Sequence, residues 1–442
     1  MNGGLFLTDT KLVEFNKPEL IGNVVVPGDK SISHRAVMLG SIAEGKTQIT
    51  GFLDGEDCLR TIDIFRQLGV SIERDGTNVT VDSPGMQGWQ TPSKDLYAGN
   101  SGTTARLMLG ILAGSTIKSV LTGDESLSKR PMNRVTHPLS SMGASVVGKP
   151  DSNLLPLSIT GGPLSAIDYD MPVASAQVKS AILFAGLNAK GTTVISEKTV
   201  SRDHTERMLL QFGAEVRVDG TKVSVTGGNV LRAKDVLVPG DISSAAFFMA
   251  AAAMSKGSSV TFSNVGLNPT RTGILDVLTN MGARIEILEE VNGDGEPYGT
   301  VKVSYEGLRG IEISGDLIPR LIDELPVIAL LATQAEGTTV IKDAGELRVK
   351  ETDRIAAVTS ELKKLGANIE ATDDGMIIHG PTELSGGTLD SYGDHRLGMM
   401  AAIAALVASA PIQIEDPSCI AISYPGFFTD LEKLAVPINA KG

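Results

Sequence analysis

Cysteine, aromatic residues and long apolar runs are scarce in this sequence of 442 residues. Its two cysteines, Cys58 and Cys419, lack the short spacings of zinc sites, so we expect a reducing compartment and no metal. The apolar stretches near residues 245–254 and 399–408 are shorter than the ~20 residues that cross a bilayer. The segment from Met1 to Lys11 also lacks a signal-peptide pattern. We therefore expect a cytoplasmic protein that does not bind membranes.

Basic runs are absent as well. The net charge is −13, and lysines and arginines do not alternate with aromatic residues, so we expect no nucleic-acid partner. An acidic protein still binds small anions where its few cations cluster, because net charge informs solubility rather than site chemistry. The length predicts two domains of about 200 residues each, with ample core.

Glycine and small residues are abundant, and they occur in a recurring helix start. Six times a cluster of polar residues precedes a stretch with the composition of a buried helix. The openings are DKSISHRA from Asp29, GNSGTTAR from Gly99, ASAQVKSA from Ala174, GDISSAAF from Gly240, LIDELPVI from Leu321 and YGDHRLGM from Tyr392. Free backbone N–H groups and the helix dipole favour anions at such starts. The pattern therefore predicts a scaffold that holds a strongly negative ligand.

A second element confirms the repeat. An amphipathic helix ending in Leu-Gly, Met-Gly or Phe-Gly is followed by an alternating strand, as in LLQFGAEVRV from Leu209. The glycine suits a left-handed helix end. Each repeat is βαβαβ-like and about 70–80 residues long, longer than solenoid repeats, which favours a closed globule. The sixth copy, from Phe427, is truncated.

The tetrapeptide Val-Pro-Gly-Asp occurs at Val26 and again at Val238, with three repeats after each copy. We interpret the copies as two crossings between pseudo-symmetric halves, since Pro-Gly suits a bend. This predicts one domain from residues 1–28 plus 241–442 and a second from residues 29–240. The alternative is two coincidental Pro-Gly turns.

The first opening is the densest functional signal. Lys30, Ser31 and Arg35 combine an ammonium, a hydroxyl and a guanidinium at a helix start, a mixture that suits a phosphate. The alternative is a capped helix with solvated charges. Gly102 permits close approach of a ligand, although the neighbouring threonines could act only as caps. The third opening, with Ser175, Gln177 and Lys179, is a weak signal alone.

Charged clusters in the second half carry the remaining signal. Lys350 and Arg354 share a helix face with Glu351 beside it, which fits either a ligand site or a surface salt-bridge helix. Asp323 precedes an apolar helix, and His395 and Arg396 open the last repeat. If equivalent helix starts converge, these cations share one cleft. At 4 Å a like-charge pair costs about 4 kcal/mol at a dielectric near 20, so an anionic ligand explains the convergence.

The motifs VPGDKSISHRA, GNSGTTARL, SLSKRPM, ASAQVKSAIL, SRDHTERM, IDELPVIALLA, VKETDRI and YGDHRLGM together resemble the 5-enolpyruvylshikimate-3-phosphate (EPSP) synthase family over nearly the whole chain. The ASAQVKSA and RDHTE forms resemble its bacterial class II subgroup. The resemblance implies an α/β fold of two pseudo-symmetric domains, each of three βαβαββ repeats, known as an inside-out α/β barrel. It places the active site in the cleft between the domains.

The reaction implied is transfer of the enolpyruvyl group of phosphoenolpyruvate to the 5-hydroxyl of shikimate 3-phosphate, with release of phosphate, on the route to chorismate and the aromatic amino acids. The resemblance implies no metal and no organic cofactor, two small-molecule substrates and a monomer. Many members are inhibited by glyphosate at the phosphoenolpyruvate site, where Gly102 would leave room for it.

The resemblance also implies the roles of individual residues. Shikimate 3-phosphate would be held by Lys30, Ser31, Arg35, Ser175, Gln177, Arg202, Asp323 and Lys350. Phosphoenolpyruvate would be held by Lys30, Asn100, Gly102, Arg130, Gln177, Arg354, His395 and Arg396. Asp323 would accept the proton of the attacking hydroxyl. Glu351 and Lys30 are both candidates for protonating the methylene carbon and handling the leaving phosphate, and the sequence does not decide between them.

Two positions depart from the family pattern. Ile422 stands where many members have a lysine that reaches phosphoenolpyruvate, and Ala176 replaces a common serine. The alternative within the same fold is a UDP-N-acetylglucosamine enolpyruvyl transferase, but the loop from Leu121 to Met132 lacks the reactive cysteine of that family. A non-enzymatic anion-binding scaffold is the other alternative, and it would not require Asp323 and Glu351.

Overall fold

The chain forms two units in this computed structural model, which describes residues 9–148, 154–293 and 295–436. The first unit comprises Met1–Pro27, Gly240–Val291 and Pro297–Gly442. The second comprises Gly28–Pro239 and Asn292–Glu296. Two of the crossings between the units, Pro27/Gly28 and Pro239/Gly240, lie inside the repeated Val-Pro-Gly-Asp segments.

The units divide one residue earlier at each crossing than the boundaries expected from the sequence, 28/29 and 240/241. In the second unit the Asp29 N–H donates to the Pro239 carbonyl at 2.8 Å, and in the first the Asp241 N–H donates to the Pro27 carbonyl at 2.9 Å. The short segment Asn292–Glu296 was expected in the first domain. It is grouped with the second unit, in which Glu296 lies 2.7 Å from His204 Nδ1.

Twelve α-helices are described. They are α1 (Lys30–Ile42), α2 (Glu56–Gln67), α3 (Gly102–Ala113), α4 (Asn133–Ser141), α5 (Ala176–Gly186), α6 (His204–Gln211), α7 (Ile242–Met254), α8 (Gly273–Met281), α9 (Leu325–Ala332), α10 (Arg354–Lys364), α11 (His395–Ala404) and α12 (Phe427–Leu434). The odd-numbered helices follow the six polar openings of the sequence. They are buried almost all round, as expected of helices rich in alanine and leucine without a polar face.

The described residues also form 26 strands. They are β1 (Thr10–Val13), β2 (Glu19–Val24), β3 (Glu44–Thr50), β4 (Ser71–Asp75), β5 (Asn78–Pro84), β6 (Leu96–Tyr97), β7 (Lys118–Thr122), β8 (Ser145–Gly148), β9 (Leu157–Thr160), β10 (Leu164–Ser165), β11 (Asp168–Asp170), β12 (Ala189–Lys190), β13 (Thr192–Ser196), β14 (Glu215–Asp219), β15 (Lys222–Thr226), β16 (Val236–Leu237), β17 (Ser259–Gly266), β18 (Arg284–Val291), β19 (Tyr298–Ser304), β20 (Glu312–Ile313), β21 (Gly337–Ile341), β22 (Asn368–Ala371), β23 (Met376–Gly380), β24 (Gly387–Asp390), β25 (Ile412–Glu415) and β26 (Ala435–Val436). Several alternate between buried and less buried residues, as β15 and β19 do, which is the pattern of strands with one face on the core.

Each repeat of the second unit builds a four-stranded sheet with the same strand order. In two repeats all four strands come from the repeat's own stretch of chain, in the orders β6-β7-β9-β8 and β11-β13-β15-β14. The third sheet, β16-β3-β5-β4, takes its first strand from the far end of the unit, where Val236 pairs with Ile49. In all three sheets the first pairing is parallel and the other two are antiparallel.

The first unit repeats this plan. One sheet is β20-β21-β23-β22, and another is β2-β17-β19-β18 with β26 added beside β2. The shortened sixth repeat forms β24-β25 and is completed by β1, which runs antiparallel to β25 with Thr10 opposite Glu415. The predicted βαβαββ fold class is therefore confirmed. The N-terminal strand β1 thus supplies a strand to the truncated copy, whereas β26 joins the sheet that contains β2.

Buried helices form the centre of each unit. In the first unit α7, α9 and α11 pack against one another, and in the second α3 packs on both α1 and α5. Each of these helices also lies on its own sheet, so helices are inside and sheets outside. The sheets remain separate among the described residues, and none of them closes into a barrel.

The predicted left-handed helix ends are confirmed. Gly282 ends α8 with φ of 104°, and the glycines in the same place in four other repeats have φ between 87° and 96°. A residue with a Cβ would be strained there. The chain can therefore reverse directly from each amphipathic helix into the following strand.

Gly110 permits the close crossing of α3 and α5. A Cβ at this position would lie 2.0 Å from the carbonyl oxygen of Ala181, so a backbone would have to move. We expect Gly110→Ala to lower the free energy of unfolding by about 2 kcal/mol or more, measured by urea denaturation followed by circular dichroism. Gly162→Ala is the control, because a Cβ there meets nothing within 4 Å. Equal urea midpoints for the two variants would contradict this account of the crossing.

Candidate active site

Five of the six polar helix starts carry a side-chain cap. In each, an aspartate or serine oxygen accepts a hydrogen bond from a first-turn backbone N–H, at 2.9 to 3.5 Å. The capping residues are Asp29 for α1, Ser101 for α3, Ser175 for α5, Asp241 for α7 and Asp394 for α11. The other first-turn N–H groups have no acceptor within the helix. Together with the helix dipole, they make each start a place for negative charge.

A buried row of polar side chains holds the starts of α1 and α3 together in the second unit. His34 Nδ1 lies 2.8 Å from Thr61 Oγ1, which lies 2.8 Å from Thr104 Oγ1. Thr104 in turn donates to Ser101 Oγ, the cap of α3, at 2.8 Å. Burial lowers the pKa of His34 well below 6.5, and the charges of Lys30 and Arg35 lower it further. His34 is therefore neutral near pH 7 and adds no positive charge to this cluster.

Arg35 is a buried cation held by neutral oxygens. Its side chain donates to the Ser31 carbonyl at 2.9 Å, to Thr205 Oγ1 at 2.7 Å and to Ser180 Oγ at 2.8 Å. The residue is 4% exposed, and within the described ranges it makes no ion pair. Burial lowers the pKa of Arg35 to about 10, so it stays charged at neutral pH. Its positive charge is therefore not neutralised by a carboxylate contact.

Two further predicted ligands, Arg202 and Lys30, belong to the same unit as Arg35. The charge of Arg202 also lowers the pKa of Arg35, so the two guanidinium groups are close enough to repel each other. Lys30 Nζ lies 3.3 Å from the Asp57 carboxylate, and both side chains keep some exposure. A bound anion would relieve the repulsion between the arginines.

Asn100 and Arg130 form a second cationic corner at the start of α3. Arg130 Nη2 donates to Asn100 Oδ1 at 2.6 Å, and Nη1 donates to the Asn100 carbonyl at 3.3 Å. The Asn100 amide donates to Asp124 at 2.7 Å. This network fixes the direction of the Arg130 fork beside Gly102, where a Cβ would lie 3.6 Å from Arg130 Nη1.

Arg106 is a nearby cation that the sequence interpretation missed. Its Nη1 would lie 3.0 Å from a Cβ on Gly102, and it donates to Gln177 Oε1 at 2.7 Å. Gln177 Nε2 donates to Thr103 Oγ1 at 3.1 Å, which ties α5 to α3. The available signal was helical spacing, since Arg106 lies four residues after Gly102 on the same face of α3.

In the first unit, Arg354 joins three carboxylates although it is 1% exposed. Its guanidinium lies 2.8 Å from Asp394 and from Glu351, and 3.1 Å from Asp323. Burial alone would lower the pKa of Arg354, but Asp394, Glu351 and Asp323 raise it above the ordinary arginine value. Arg354 is therefore permanently charged and orients both carboxylates proposed for proton transfer.

Asp323 lies between two cations. Lys350 Nζ is 3.3 Å from Asp323 Oδ1, the same oxygen that Arg354 Nη1 contacts at 3.1 Å. Asp323 precedes α9, which it cannot cap because Glu324 intervenes. Paired with Lys350 and Arg354, this carboxylate is a charged hydrogen-bond acceptor, as a base for a hydroxyl must be.

Arg396 and His395 begin α11 directly after the Asp394 cap, and both are buried. The Arg396 guanidinium carbon lies 5.9 Å from the centre of the Phe247 ring. Its Nη1 is buried and finds no hydrogen-bond partner in the described part of the chain. A buried guanidinium N–H without a protein acceptor is costly, and a ligand oxygen would satisfy it.

The structure places the predicted residues in two groups. The second unit holds Lys30, Ser31, Arg35, Asn100, Gly102, Arg130, Ser175, Gln177 and Arg202, and the first holds Asp323, Lys350, Glu351, Arg354, His395 and Arg396. At the two departures from the family pattern, Ile422 packs half-buried against the core of the first unit, and Ala176 is the first residue of α5. Neither side chain offers a polar group to a ligand.

No group of three or more His, Cys, Asp or Glu side chains able to hold a metal ion occurs among the described residues. In the same described ranges, every helix is too short or too polar to span a membrane.

Comparison with known proteins gives consistent results. Residues 16–431 match the family model for EPSP synthase (3-phosphoshikimate 1-carboxyvinyltransferase). The 3-phosphoshikimate 1-carboxyvinyltransferase of Bacillus licheniformis is 60% identical over 417 residues, covering 94% of this chain and 97% of the relative. That of Geobacillus kaustophilus is 60% identical over 421 residues, covering 95% and 99%.

Solved structures show the same fold. EPSP synthase from Acinetobacter baumannii superposes with a TM-score of 0.87 at 44% identity, over 96% of this chain and 98% of the other. The enolpyruvyl transferase NikO from Streptomyces tendae superposes with a TM-score of 0.78 at 20% identity, over 97% and 98%. The second likeness shows the fold alone.

Proposed function

The chain belongs to the EPSP synthase family, and from that premise we propose that it transfers the enolpyruvyl group of phosphoenolpyruvate to the 5-hydroxyl of shikimate 3-phosphate. The products are 5-enolpyruvylshikimate 3-phosphate and phosphate, on the shikimate route to the aromatic amino acids. Near full-length identity of 60% to curated enzymes with this activity carries the proposal. It includes a cytoplasmic monomer that needs no cofactor, as the resemblance implies.

Residues of both units are proposed to bind the two substrates in one site. Buried or half-buried guanidinium groups at capped helix starts suit two polyanions, because charge-assisted hydrogen bonds from buried groups are strong. Shikimate 3-phosphate is assigned to Lys30, Ser31, Arg35, Ser175, Gln177, Arg202, Asp323 and Lys350. Phosphoenolpyruvate is assigned to Lys30, Asn100, Gly102, Arg130, Gln177, Arg354, His395 and Arg396.

The chemistry is an addition followed by an elimination. Asp323 takes the proton of the 5-hydroxyl while the hydroxyl oxygen bonds to C2 of phosphoenolpyruvate. An acid protonates the C3 methylene in the same addition. Loss of a C3 proton and of phosphate then restores the double bond. Glu351 and Lys30 are the two candidates for the acid. Lys350 and Arg354 contact Asp323, which supports its role as the charged acceptor.

The assignment is tested by phosphate release. We expect the purified protein to release phosphate from a mixture of phosphoenolpyruvate and shikimate 3-phosphate, monitored with a coupled phosphate assay. UDP-N-acetylglucosamine in place of shikimate 3-phosphate should give no release. Release only with the nucleotide sugar would overturn the proposed acceptor. Binding of both anions without any release would favour a non-enzymatic scaffold.

Asp323→Asn tests the base. The amide keeps the size of the carboxylate but cannot accept the hydroxyl proton, so we expect turnover to fall by about 10²-fold or more. Shikimate 3-phosphate should still bind, as measured by titration calorimetry. Asp316→Asn, an exposed aspartate in the same unit, is the control and should keep normal turnover. Turnover of Asp323→Asn within a few-fold of the unchanged protein would remove Asp323 from this role.

A further inference from the structure

Lys179 is an ammonium group buried in the second unit without any direct role in the proposed chemistry. It is 1% exposed, and its Nζ lies 2.7 Å from Glu197 Oε2 and 2.7 Å from Glu206 Oε1. It also donates to the Ser201 carbonyl at 3.3 Å, one residue before Arg202. Because Lys179 is enclosed by these groups, it can influence a ligand only through them and not by direct contact.

The three groups form a buried cluster with one positive and two negative charges. Glu197 also accepts hydrogen bonds from Ser201, at 2.5 Å from the hydroxyl and 3.3 Å from the backbone N–H. Burial raises the pKa of Glu206, and Lys179 opposes that rise. Without Lys179, two carboxylates would remain buried and without a cation between them, which is strongly unfavourable.

This cluster lies directly beside Arg35. Ser180 and Thr205, the neighbours of Lys179 and Glu206 in sequence, are the two hydroxyls that receive the Arg35 hydrogen bonds. Their oxygens are 2.6 Å apart. The charge of Glu206 also raises the pKa of Arg35, so the two side chains interact electrostatically. Neutralisation of the Glu206 carboxylate therefore determines how strongly Arg35 attracts an anionic ligand.

We propose that Lys179 is a positioning residue for the shikimate 3-phosphate site. By pairing with Glu197 and Glu206, it keeps these carboxylates from competing for Arg35, whose guanidinium then stays bound to hydroxyls with its charge available to the substrate. The same contacts hold the Ser201–Arg202 segment against α5. This inference rests on the proposed function, because it assumes that Arg35 binds the anionic substrate.

The test is a cycle of charge variants, Lys179→Met, Glu206→Gln and the double variant. Lys179→Met should raise the KM for shikimate 3-phosphate about tenfold or more, as small displacements of binding groups do, with little change in the KM for phosphoenolpyruvate. Glu206→Gln should bind shikimate 3-phosphate at least as tightly as the unchanged protein. The double variant restores the net charge of the cluster, so it should recover most of the affinity that Lys179→Met loses.

Lys190→Met is the matched control, since it removes an exposed lysine of the same unit and should leave both KM values unchanged. Thermal melts and calorimetric binding of shikimate 3-phosphate accompany each variant. If Lys179→Met does not fold, Glu206→Gln decides the matter. Weaker binding of shikimate 3-phosphate by this variant overturns the inference, and unchanged or tighter binding supports it. An equal loss for both substrates, or no recovery in the double variant, would also overturn it. Failure of the unchanged protein to release phosphate would instead count against the proposed function.

Discussion

Burying cations at the starts of helices is the constraint on which the rest of the structure depends. A guanidinium group removed from water must be matched by oxygens of the protein, and a helix start offers N–H groups rather than acceptors. Each cation therefore takes most of its acceptors from other elements. Arg35 on α1 uses hydroxyls of α5 and α6, and Arg354 on α10 uses carboxylates before α9 and α11. The positions of the cations in each unit therefore depend on how its helices pack.

The two units meet this constraint differently. Arg35 is held by neutral oxygens and contacts no carboxylate within the described ranges, whereas Arg354 contacts three carboxylates, those of Asp394, Glu351 and Asp323. The first arrangement suits binding of an anion, and the second suits orientation of carboxylates that move protons. This difference agrees with the division of labour proposed for the site, in which the first unit supplies the base.

The sequence alone predicted much of the fold, because local sequence signals specify each repeat. Capping residues such as Asp29 and Asp394 and the left-handed Gly282 each act within a few residues of their position. Strand donation was not predictable in the same way. β16 and β1 complete sheets far from them in sequence, and a short strand carries no signal for its partner.

The site shows the same limit. Lys30, Arg354 and Arg396 were predicted as ligands from their motifs. Arg106 was not, although it lies in the GNSGTTARL motif, because it follows the polar helix start by four residues. Lys179 looked like a weak ligand candidate, and its burial between Glu197 and Glu206 depends on tertiary packing that spacing does not reveal. Partners distant in sequence, such as Thr205 for Arg35, had no local signature either.

The central proposal is that capped helix starts from both units hold the same pair of anions. Hydrogen–deuterium exchange of the full chain, with and without saturating amounts of both substrates, measures this directly. The account predicts slower exchange in the first turns of α1, α3 and α5 and also of α10 and α11, because their free N–H groups and flanking cations become covered. Slowing confined to the helices of one unit, or absent from all of these first turns, would contradict it.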